Sequence, residues 1–244
     1  MNQTIQELFN RKSVRMYCEE PITKEEKNLI LEAAAQAPTA GNMALYSIID
    51  VQDQSLKEEL AVRCDNQPFI AKAPMVLIFL ADYQKWFDMF KEYVEGMPKL
   101  CEADLFLAIQ DCVIAAQNAV VAAESLGIGS CYIGDILENY EDNQKLLHLP
   151  KYAVPQVMVV FGKPTPQQKE RKKQEHFKVE DLVHVDTYQQ RSIEETKQMF
   201  QDHFHKDEEQ IQKQVENFAS RKFLCAFREE INRSAKAIID HWNE

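Results

Sequence analysis

Apolar positions along the chain recur with two different periods, which predict helices mixed with strands. A Thr-x-x-Glu capping box at Thr23 opens a run with helical spacing that Pro38 closes, and residues 4–10 predict a short helix before it. Four short apolar runs predict strands: Tyr46–Val51, 75–80, 130–134 and 154–161. The run 75–80 is apolar at every position, which is typical of a strand covered on both faces.

The strongest predicted helix covers residues 103–126 and has almost no polar face. A helix that is apolar nearly all round is buried inside a domain or at a subunit interface. Gly127 is expected to end this helix as its C-cap, and Asp135 to cap a further helix over 136–149. Strands interleaved with long helices predict a layered α+β or α/β fold.

The chain changes character after the last predicted strand. It is polar, basic and irregular to about residue 185, and three less apolar helices are expected at 193–204, 208–218 and 227–242. We therefore predict a strand-bearing core over 1–185 and a helical arm over 186–244 that packs on the core or on a partner.

Composition narrows the expected partners and location. The 244 residues carry 28 Lys and Arg against 39 Asp and Glu, a formal net charge of −11, so no nucleic-acid partner is expected. The start of the chain does not resemble a signal peptide. The longest strongly apolar stretch, 73–81, is far below the roughly 20 residues of a membrane span, so no membrane is expected. Six cysteines without a Cys-x-x-Cys pair indicate reduced thiols and a cytoplasmic location.

No self-sufficient catalytic set is visible in the sequence. The chain lacks a nucleophile elbow, a His-Glu-x-x-His zinc motif and a phosphate-binding P-loop, and its six histidines show no ligand spacing. We therefore expect no catalytic side chain and no metal site. An enzyme built on this chain needs a cofactor to carry the reaction.

Two basic segments are candidates for holding an anionic cofactor. The first basic segment, residues 11–15, offers two guanidinium groups, an ammonium group and a hydroxyl: Arg11, Lys12, Ser13 and Arg15. The second basic segment, residues 163–173, contains five cations: Lys163, Lys169, Arg171, Lys172 and Lys173. Both segments suit a phosphate, but basic residues near helix ends also occur because they favour the helix dipole and stay solvated.

A second kind of candidate is the segment APTAGN, residues 37–42. Thr39 offers a hydroxyl, Gly41 permits a tight turn, and Asn42 can donate and accept hydrogen bonds. Such a loop suits the edge of a planar ring that carries carbonyl and N–H groups. The same residues also form plain turns, so both interpretations stand.

Taken in order, five motifs resemble the nitroreductase/flavin reductase family of FMN-dependent oxidoreductases, and most closely its NADPH-dependent branch with a long C-terminal helical arm. The motifs are NRKSVRMY, APTAGN, Asn66-Gln67-Pro68, DCVIAAQNAVVAAESLGIGSCYIGDI and FGKPTPQQKERKK. The resemblance covers nearly the whole chain. It implies an α+β three-layer fold in which helices flank a central, mostly antiparallel sheet. It also implies an FMN-binding core over 1–185 and a helical arm over 186–244 that packs on a homodimer.

The resemblance implies roles for individual residues in binding FMN. The phosphate and ribityl end would be held by Arg11, Lys12, Ser13, Arg15, Lys169 and Arg171. One side of the isoalloxazine ring would be lined by Thr39, Gly41 and Asn42, the other by Gly129, Ser130, Cys131 and Tyr132. Gln67 would bond the ring or ribityl edge. Cys131 is open to two interpretations, a redox thiol or the small core residue that a cysteine in an apolar strand more often is.

The activity implied by the resemblance is transfer of two electrons from NAD(P)H, by hydride transfer in a ping-pong order, to nitroaromatics, quinones or free flavin. Two alternatives remain open: a flavin-binding carrier or sensor with little turnover, and a helical interaction protein without a cofactor. The sequence does not select between NADPH and NADH, because residues 201–210 of the arm are mixed and acidic.

Overall fold

A computed structural model describes residues 1–244 and contains one four-stranded sheet. The strands are β1 Tyr46–Val51, β2 Met75–Asp82, β3 Gly129–Ile133 and β4 Ala153–Gly162, in the order β1-β2-β4-β3, with every neighbouring pair antiparallel. All four predicted strands are therefore confirmed. The register of β2 against β4 shifts after Phe79, where Pro155 lies opposite Leu80. A proline is tolerated at such an irregularity because the ladder does not need its missing N–H.

The chain also forms twelve α-helices and two short 3₁₀ turns. The helices are α1 Gln3–Asn10, α2 Lys24–Ala35, α3 Gln54–Arg63, α4 Pro68–Ala71, α5 Gln84–Tyr93, α6 Glu102–Ser125, α7 Tyr140–Leu146, α8 Pro166–Glu170, α9 Val179–Leu182, α10 Ile193–Phe204, α11 Glu208–Lys222 and α12 Ala226–Asn243. The 3₁₀ turns cover Ala40–Asn42 and Gly134–Leu137.

Helices cover both faces of the sheet, which produces three layers. Every residue of β2 is buried, and its alternate side chains enter opposite clusters. Leu77 and Phe79 pack in one cluster with side chains of α2 and α6. Val76 and Ile78 pack in the other cluster with side chains of α3 and α4. The α+β three-layer fold implied by the resemblance is confirmed.

The long helix α6 is buried on one face and exposed on the other. Its small buried residues pack with the sheet: Ala108, Cys112, Ala115 and Ala119. Its opposite face exposes large apolar side chains: Phe106, Leu107, Val113 and Ile114. By length and composition α6 is apolar enough to cross a membrane. The expectation that residues 73–81 form the longest apolar stretch did not take this helix into account. A single such helix is weak evidence for a span, because the core helix of a soluble protein passes the same test.

Two local predictions can be compared with the helices directly. The capping box of α2 is confirmed, since Thr23 accepts from the Glu26 N–H at 3.1 Å and the Glu26 carboxylate accepts from the Thr23 N–H at 2.7 Å. The single helix expected over 136–149 is wrong. A 3₁₀ turn and the shorter α7 occupy this region, separated by Asn139, whose backbone is left-handed with φ 50°.

Contacts between Cα atoms divide the chain into two compact units, residues 1–171 with 230–244, and residues 172–229. The first unit holds the sheet and the end of α12, where Trp242 is fully buried and its indole N–H donates to the carbonyl of Cys101 at 3.1 Å. Within the second unit, the Phe177 ring stacks on His203 with centroids 4.0 Å apart. The predicted boundary near residue 185 between a flavin-binding core and an arm stays a prediction.

Candidate functional site

The first basic segment continues into residues that run along the edge of β3 and past the end of β4. The Val14 N–H donates to the carbonyl of Ser130 at 2.9 Å, and the Cys18 N–H donates to the carbonyl of Lys163 at 2.9 Å. Backbone hydrogen bonds thus fix residues 11–18 to the sheet. The side chains of this segment are therefore displayed from a rigid support rather than from a free terminus.

Two glycines make this close approach possible. A Cβ atom on Gly129 would lie 2.4 Å from Cγ2 of Val14, and one on Gly162 would lie 2.3 Å from Cδ1 of Tyr17. Real Cβ atoms essentially never come so close to other heavy atoms. The strands β3 and β4 therefore need glycine where Val14 and Tyr17 pack against them.

The two basic segments meet, although they are more than 150 residues apart in the chain. The Lys12 ammonium donates to the carbonyls of Lys169 and Arg171 at 2.6 and 2.5 Å. In the opposite direction, Nη2 of Arg171 donates to the carbonyl of Ser13 at 2.6 Å. We call these three hydrogen bonds the Lys12–Arg171 clasp. Each is a charge-assisted bond to a backbone carbonyl, so the clasp holds two main-chain segments together.

A buried glutamine, which the sequence analysis did not identify, joins the same two segments. Oε1 of Gln168 accepts from the Arg15 N–H at 3.2 Å, and Gln168 is 7% exposed. The short helix α8 holds it in place, because the Thr165 hydroxyl caps this helix by accepting from the Gln168 N–H at 3.3 Å. A neutral side chain within a basic run gives no sequence signal for this role.

Two other cations of the second basic segment, Lys163 and Lys172, have carboxylate partners. Nζ of Lys163 lies 2.7 Å from the carboxylate of Glu20 and 3.0 Å from that of Glu26. Hydrogen bonds to these two carboxylates raise the pKa of Lys163. Lys172 lies in the second unit, 3.6 Å from Glu175. Lys169 and Arg171 are therefore the members of this segment that the first basic segment contacts.

Several strong donors around the clasp keep their N–H or O–H groups without a hydrogen-bond acceptor in the chain. The guanidinium groups of Arg11 and Arg15, the ammonium of Lys169 and the hydroxyl of Ser13 form no side-chain hydrogen bond. The Arg15 guanidinium lies over the Phe69 ring, 5.6 Å from its centroid. Clustered guanidinium, ammonium and hydroxyl donors with unused N–H and O–H groups are the chemistry that a phosphate monoester requires, so this donor set fits the phosphate of FMN.

The candidate ring loop, residues 39–45, is a tightly bent segment that we call the Thr39 loop. Gly41, Asn42 and Ala44 all have left-handed backbones, with φ of 56°, 58° and 49°. The Thr39 hydroxyl spans the bend by accepting from the Ala44 N–H at 3.1 Å. Left-handed residues other than glycine persist only where surrounding contacts hold them, and such residues cluster at functional sites.

Two side chains from neighbouring helices hold the Thr39 loop. Oδ1 of Asp111 accepts from the Ala40 N–H at 2.9 Å, and Oδ2 accepts from the Leu45 N–H at 3.0 Å. The indole N–H of Trp86 donates to the carbonyl of Met43 at 2.6 Å. Neither role is evident from the sequence. Asp111 opens the motif that begins DCVIAAQNAV, but nothing near it in the chain indicates the Thr39 loop as its partner.

Gln67 stands at the start of α4, near the first basic segment. Its side chain donates to the carbonyl of Cys64 at 2.9 Å, and its own N–H donates to the carbonyl of Ala61 at 2.8 Å. Phe69, two residues along, is the ring under the Arg15 guanidinium. The structure therefore places the Gln67 turn beside Arg15.

The β3 residues that are expected to line the flavin lie in different environments. Ser130 is fully buried and its hydroxyl has no hydrogen-bond partner, while Cys131 is 1% exposed within the core cluster on the α3 side. The Tyr132 hydroxyl donates to Oε1 of Gln117 at 3.1 Å. Burial raises the pKa of Tyr132 to about 12, opposed by the positive charge of Arg11. The packing of Cys131 favours its interpretation as a core residue.

The Thr39 loop and the basic segments do not meet within one chain. The loop leads into β1, whereas the first basic segment lies along β3, and these are the two outer strands of the sheet. Three strand spacings, about 14 Å, separate those edges. No hydrogen bond joins the loop to either basic segment. The chain thus assembles the phosphate candidates and keeps the loop candidates apart from them.

Residues 8–163 match the Nitroreductase family. The chain belongs to this family. The match covers more than half of the chain and includes the first basic segment, the Thr39 loop and β3, but it ends before Lys169 and Arg171.

Individual members of the nitroreductase family support the same assignment. FMN reductase (NADPH) of Bacillus subtilis is 31% identical over 166 residues, 67% of this chain and 67% of that protein. Oxygen-insensitive NADPH nitroreductase of Salmonella typhimurium is 32% identical over 191 residues, 78% of this chain and 76% of that protein. The structure of the hypothetical oxidoreductase YcnD from Bacillus subtilis superposes with a TM-score of 0.83 at 27% identity and covers 98% of both chains. This nitroreductase is therefore an enzyme of the FMN reductase and nitroreductase group.

Proposed function

We propose that this nitroreductase is an FMN-dependent NAD(P)H oxidoreductase that passes two electrons to nitroaromatics, quinones or free flavin in a ping-pong order. The observation that supports this most is the meeting of the two basic segments at the Lys12–Arg171 clasp. When bound, FMN supplies the two-electron hydride chemistry that no side chain of this protein provides. The protein's own contribution is binding, orientation and electrostatics.

The clasp divides the cations into two roles. Lys12 and Arg171 use part of their donors to hold the main chain together. One N–H of Lys12 and four of Arg171 remain to bind a phosphate. Three further side chains form no hydrogen bond within the chain and would bind the phosphate and ribityl end directly: Arg11, Ser13 and Arg15. Lys169 would bind the same phosphate from the second basic segment.

The ring end of FMN would be lined from several elements. The Gln67 turn lies beside Arg15 and would bond the ring or ribityl edge. Backbone groups of the strand β3 would pass along one side: Gly129, Ser130, Cys131 and Tyr132. Thr39, Gly41 and Asn42 would line the other side. Because their loop lies at the opposite sheet edge, we infer that the loop of a second copy completes the site.

A homodimer is supported by the surface of α6. Its outer face exposes four large apolar side chains that a monomer leaves in water: Phe106, Leu107, Val113 and Ile114. Exposed apolar patches of this kind mark interaction sites. A second copy is the occupant we infer, because it buries this face and supplies the missing loop at once.

We also propose a cytoplasmic location and small-molecule substrates. All six cysteines are free, which suits a reducing compartment. The net charge of −11 is unfavourable for a nucleic-acid partner.

Anaerobic mixing tests the proposal. The full chain is loaded with FMN, and NADPH or NADH is added without oxygen while the yellow flavin band is followed. Bleaching, and recovery on adding a quinone, a nitroaromatic or free flavin, is the expected result. An unchanged spectrum with both nucleotides would instead support a flavin carrier or sensor, and a colourless chain that takes up no FMN would overturn the flavin assignment.

A further inference from the structure

The backbone of the Thr39 loop is too strained to keep its shape unaided. Three of its residues have left-handed backbones: Gly41, Asn42 and Ala44. Two of these, Asn42 and Ala44, carry a Cβ atom. For the alanine in particular this conformation is unfavourable, since nothing in its side chain compensates. The Thr39 hydroxyl stabilises this shape from within the loop, and contacts from outside the loop add to that stabilisation.

Asp111 makes the most direct of these contacts. The two oxygens of its carboxylate accept from the N–H groups of Ala40 and Leu45, one at each end of the bend, at 2.9 and 3.0 Å. Asp111 is 3% exposed and forms no ion pair, so the backbone N–H groups are its electrostatic partners. A buried carboxylate is costly unless both oxygens are satisfied, so the bent loop and the buried charge stabilise each other.

Helix α6 gives this contact its rigidity. Asp111 is flanked by Ala108 and Ala115, which are fully buried against the sheet, so its Cα position is fixed by the core. Trp86 adds a third point of attachment from α5 through the Met43 carbonyl. The loop is thus held at its two ends and its middle by separate elements.

We propose that Asp111 is a positioning residue that holds the Thr39 loop in the conformation that binds the flavin ring. This inference rests on the proposed function and adds a residue that does not itself touch the cofactor. It predicts a specific pattern. Loss of the two hydrogen bonds from Asp111 to the loop weakens binding of the ring and leaves binding of the phosphate unchanged. If the loop then adopts its binding shape a tenth of the time, the dissociation constant rises about tenfold.

The test compares FMN with riboflavin, which has the same ring and no phosphate. In Asp111→Asn one carboxylate oxygen becomes an amide group that cannot accept an N–H. We expect the dissociation constants of both flavins, measured by fluorescence quenching on the full chain, to rise by the same factor of about ten. Asp104→Asn is the matched control, because Asp104 lies on the same helix but accepts from the Cys101 N–H at 2.9 Å, at the helix start.

Hydrogen exchange supplies a second measurement that does not depend on flavin. The Ala40 and Leu45 amides should exchange faster in Asp111→Asn than in the parent or in Asp104→Asn, measured before any flavin is added. Should Asp111→Asn fail to fold, Trp86→Phe replaces it, since this change removes the bond to the Met43 carbonyl and keeps ring packing against Phe90. It should weaken both flavins by one common factor.

The outcomes separate this inference from the proposed function. Equal weakening of both flavins with faster amide exchange supports the positioning role. Unchanged affinities, or weakening of FMN alone, would overturn it while leaving the proposed function intact. A parent chain that binds neither flavin would overturn the proposed function and this inference together.

Discussion

Nη2 of Arg171 donates to the main-chain carbonyl of Ser13 at 2.6 Å, across 158 residues of sequence. This bond runs from the second basic segment to the first. In the opposite direction, the Lys12 ammonium donates to the carbonyls of Lys169 and Arg171. The cations therefore do two things at once. They hold two main-chain segments together, and under the proposed function their remaining donors would bind the flavin phosphate.

Replacing Lys12 with Ala tests the holding role. The change removes two charge-assisted bonds, and because they are exposed to solvent we expect the free energy of unfolding to fall by only about 1 kcal/mol. Amides in residues 165–171 should exchange faster with solvent. Lys172→Ala is the control, since that ammonium is 88% exposed and lies near Glu175 alone. Equal exchange in the two variants would show that the clasp does not hold the segment.

Gly129→Ala tests the close approach of the first basic segment to β3. The added methyl would lie 2.4 Å from Cγ2 of Val14, so the segment must move away. We expect urea unfolding to show a loss of about 1–3 kcal/mol, as for an overpacked core site, together with poor FMN retention on gel filtration. Gly134→Ala is the matched control, because a Cβ there meets no atom within 4 Å. A Gly129→Ala chain as stable as this control would contradict the packing described.

Stability in acid should depend on Glu230, at the junction of α12 and α7. Its carboxylate bonds the Arg233 guanidinium and accepts from the Asn139 N–H at 2.9 Å. Hydrogen bonding to Arg233 lowers the pKa of Glu230 from 4.5 to about 2. The folded pKa lies below the unfolded one, so this stabilisation is present above pH 4.5 and is lost as the pH falls from 4.5 towards 2.

Glu230→Gln should therefore be less stable than the parent at neutral pH and lose less stability over that acid range. Part of the dependence will remain, because the same guanidinium also lowers the pKa of Glu141. Urea unfolding at a series of pH values measures the effect. Glu229→Gln, which removes a neighbouring carboxylate without a hydrogen bond or ion pair, is the control. Parallel stability curves for parent and Glu230→Gln would contradict the assignment.

The proposed homodimer can be tested on the outer face of α6. Ile114 is 41% exposed there, and Ile114→Glu places a charge on the inferred interface. We expect sedimentation to shift from dimer to monomer and FMN retention to fall in parallel, because each site would lose the Thr39 loop of the second copy. Val62→Glu, at an apolar position on α3 that is 63% exposed, should do neither. A monomeric parent that still binds FMN would refute the shared site.

The sequence predicted those features that depend on local pattern. The four strands and the capping box at Thr23 depend on neighbouring residues and are confirmed. The phosphate-binding role of Arg11 to Arg15 stays a prediction. The helix over 136–149 was mispredicted, since apolar spacing there cannot reveal that Asn139 adopts a left-handed backbone with its N–H bound to Glu230, 91 residues later.

Long-range partners explain the other omissions. Gln168 and Asp111 act through main-chain N–H groups of distant segments, 153 and 71 or 66 residues away, and no local spacing marks them. Lys163 illustrates the opposite case. It belongs to a basic run, but Glu20 and Glu26 fold next to it and neutralise it. The sequence pattern predicted the candidate segments, and tertiary contacts determine which side chains within them already have partners.

The central claim is that both basic segments bind one flavin phosphate. Paired titrations of Arg15→Ala and Lys169→Ala with FMN and with riboflavin test it most directly. The loss of a charge-assisted hydrogen bond of about 1.5–3 kcal/mol should weaken FMN about 12- to 150-fold in each variant and leave riboflavin unchanged. If either substitution leaves FMN affinity at the parent value, or weakens riboflavin equally, the two segments do not share a phosphate and the account is wrong.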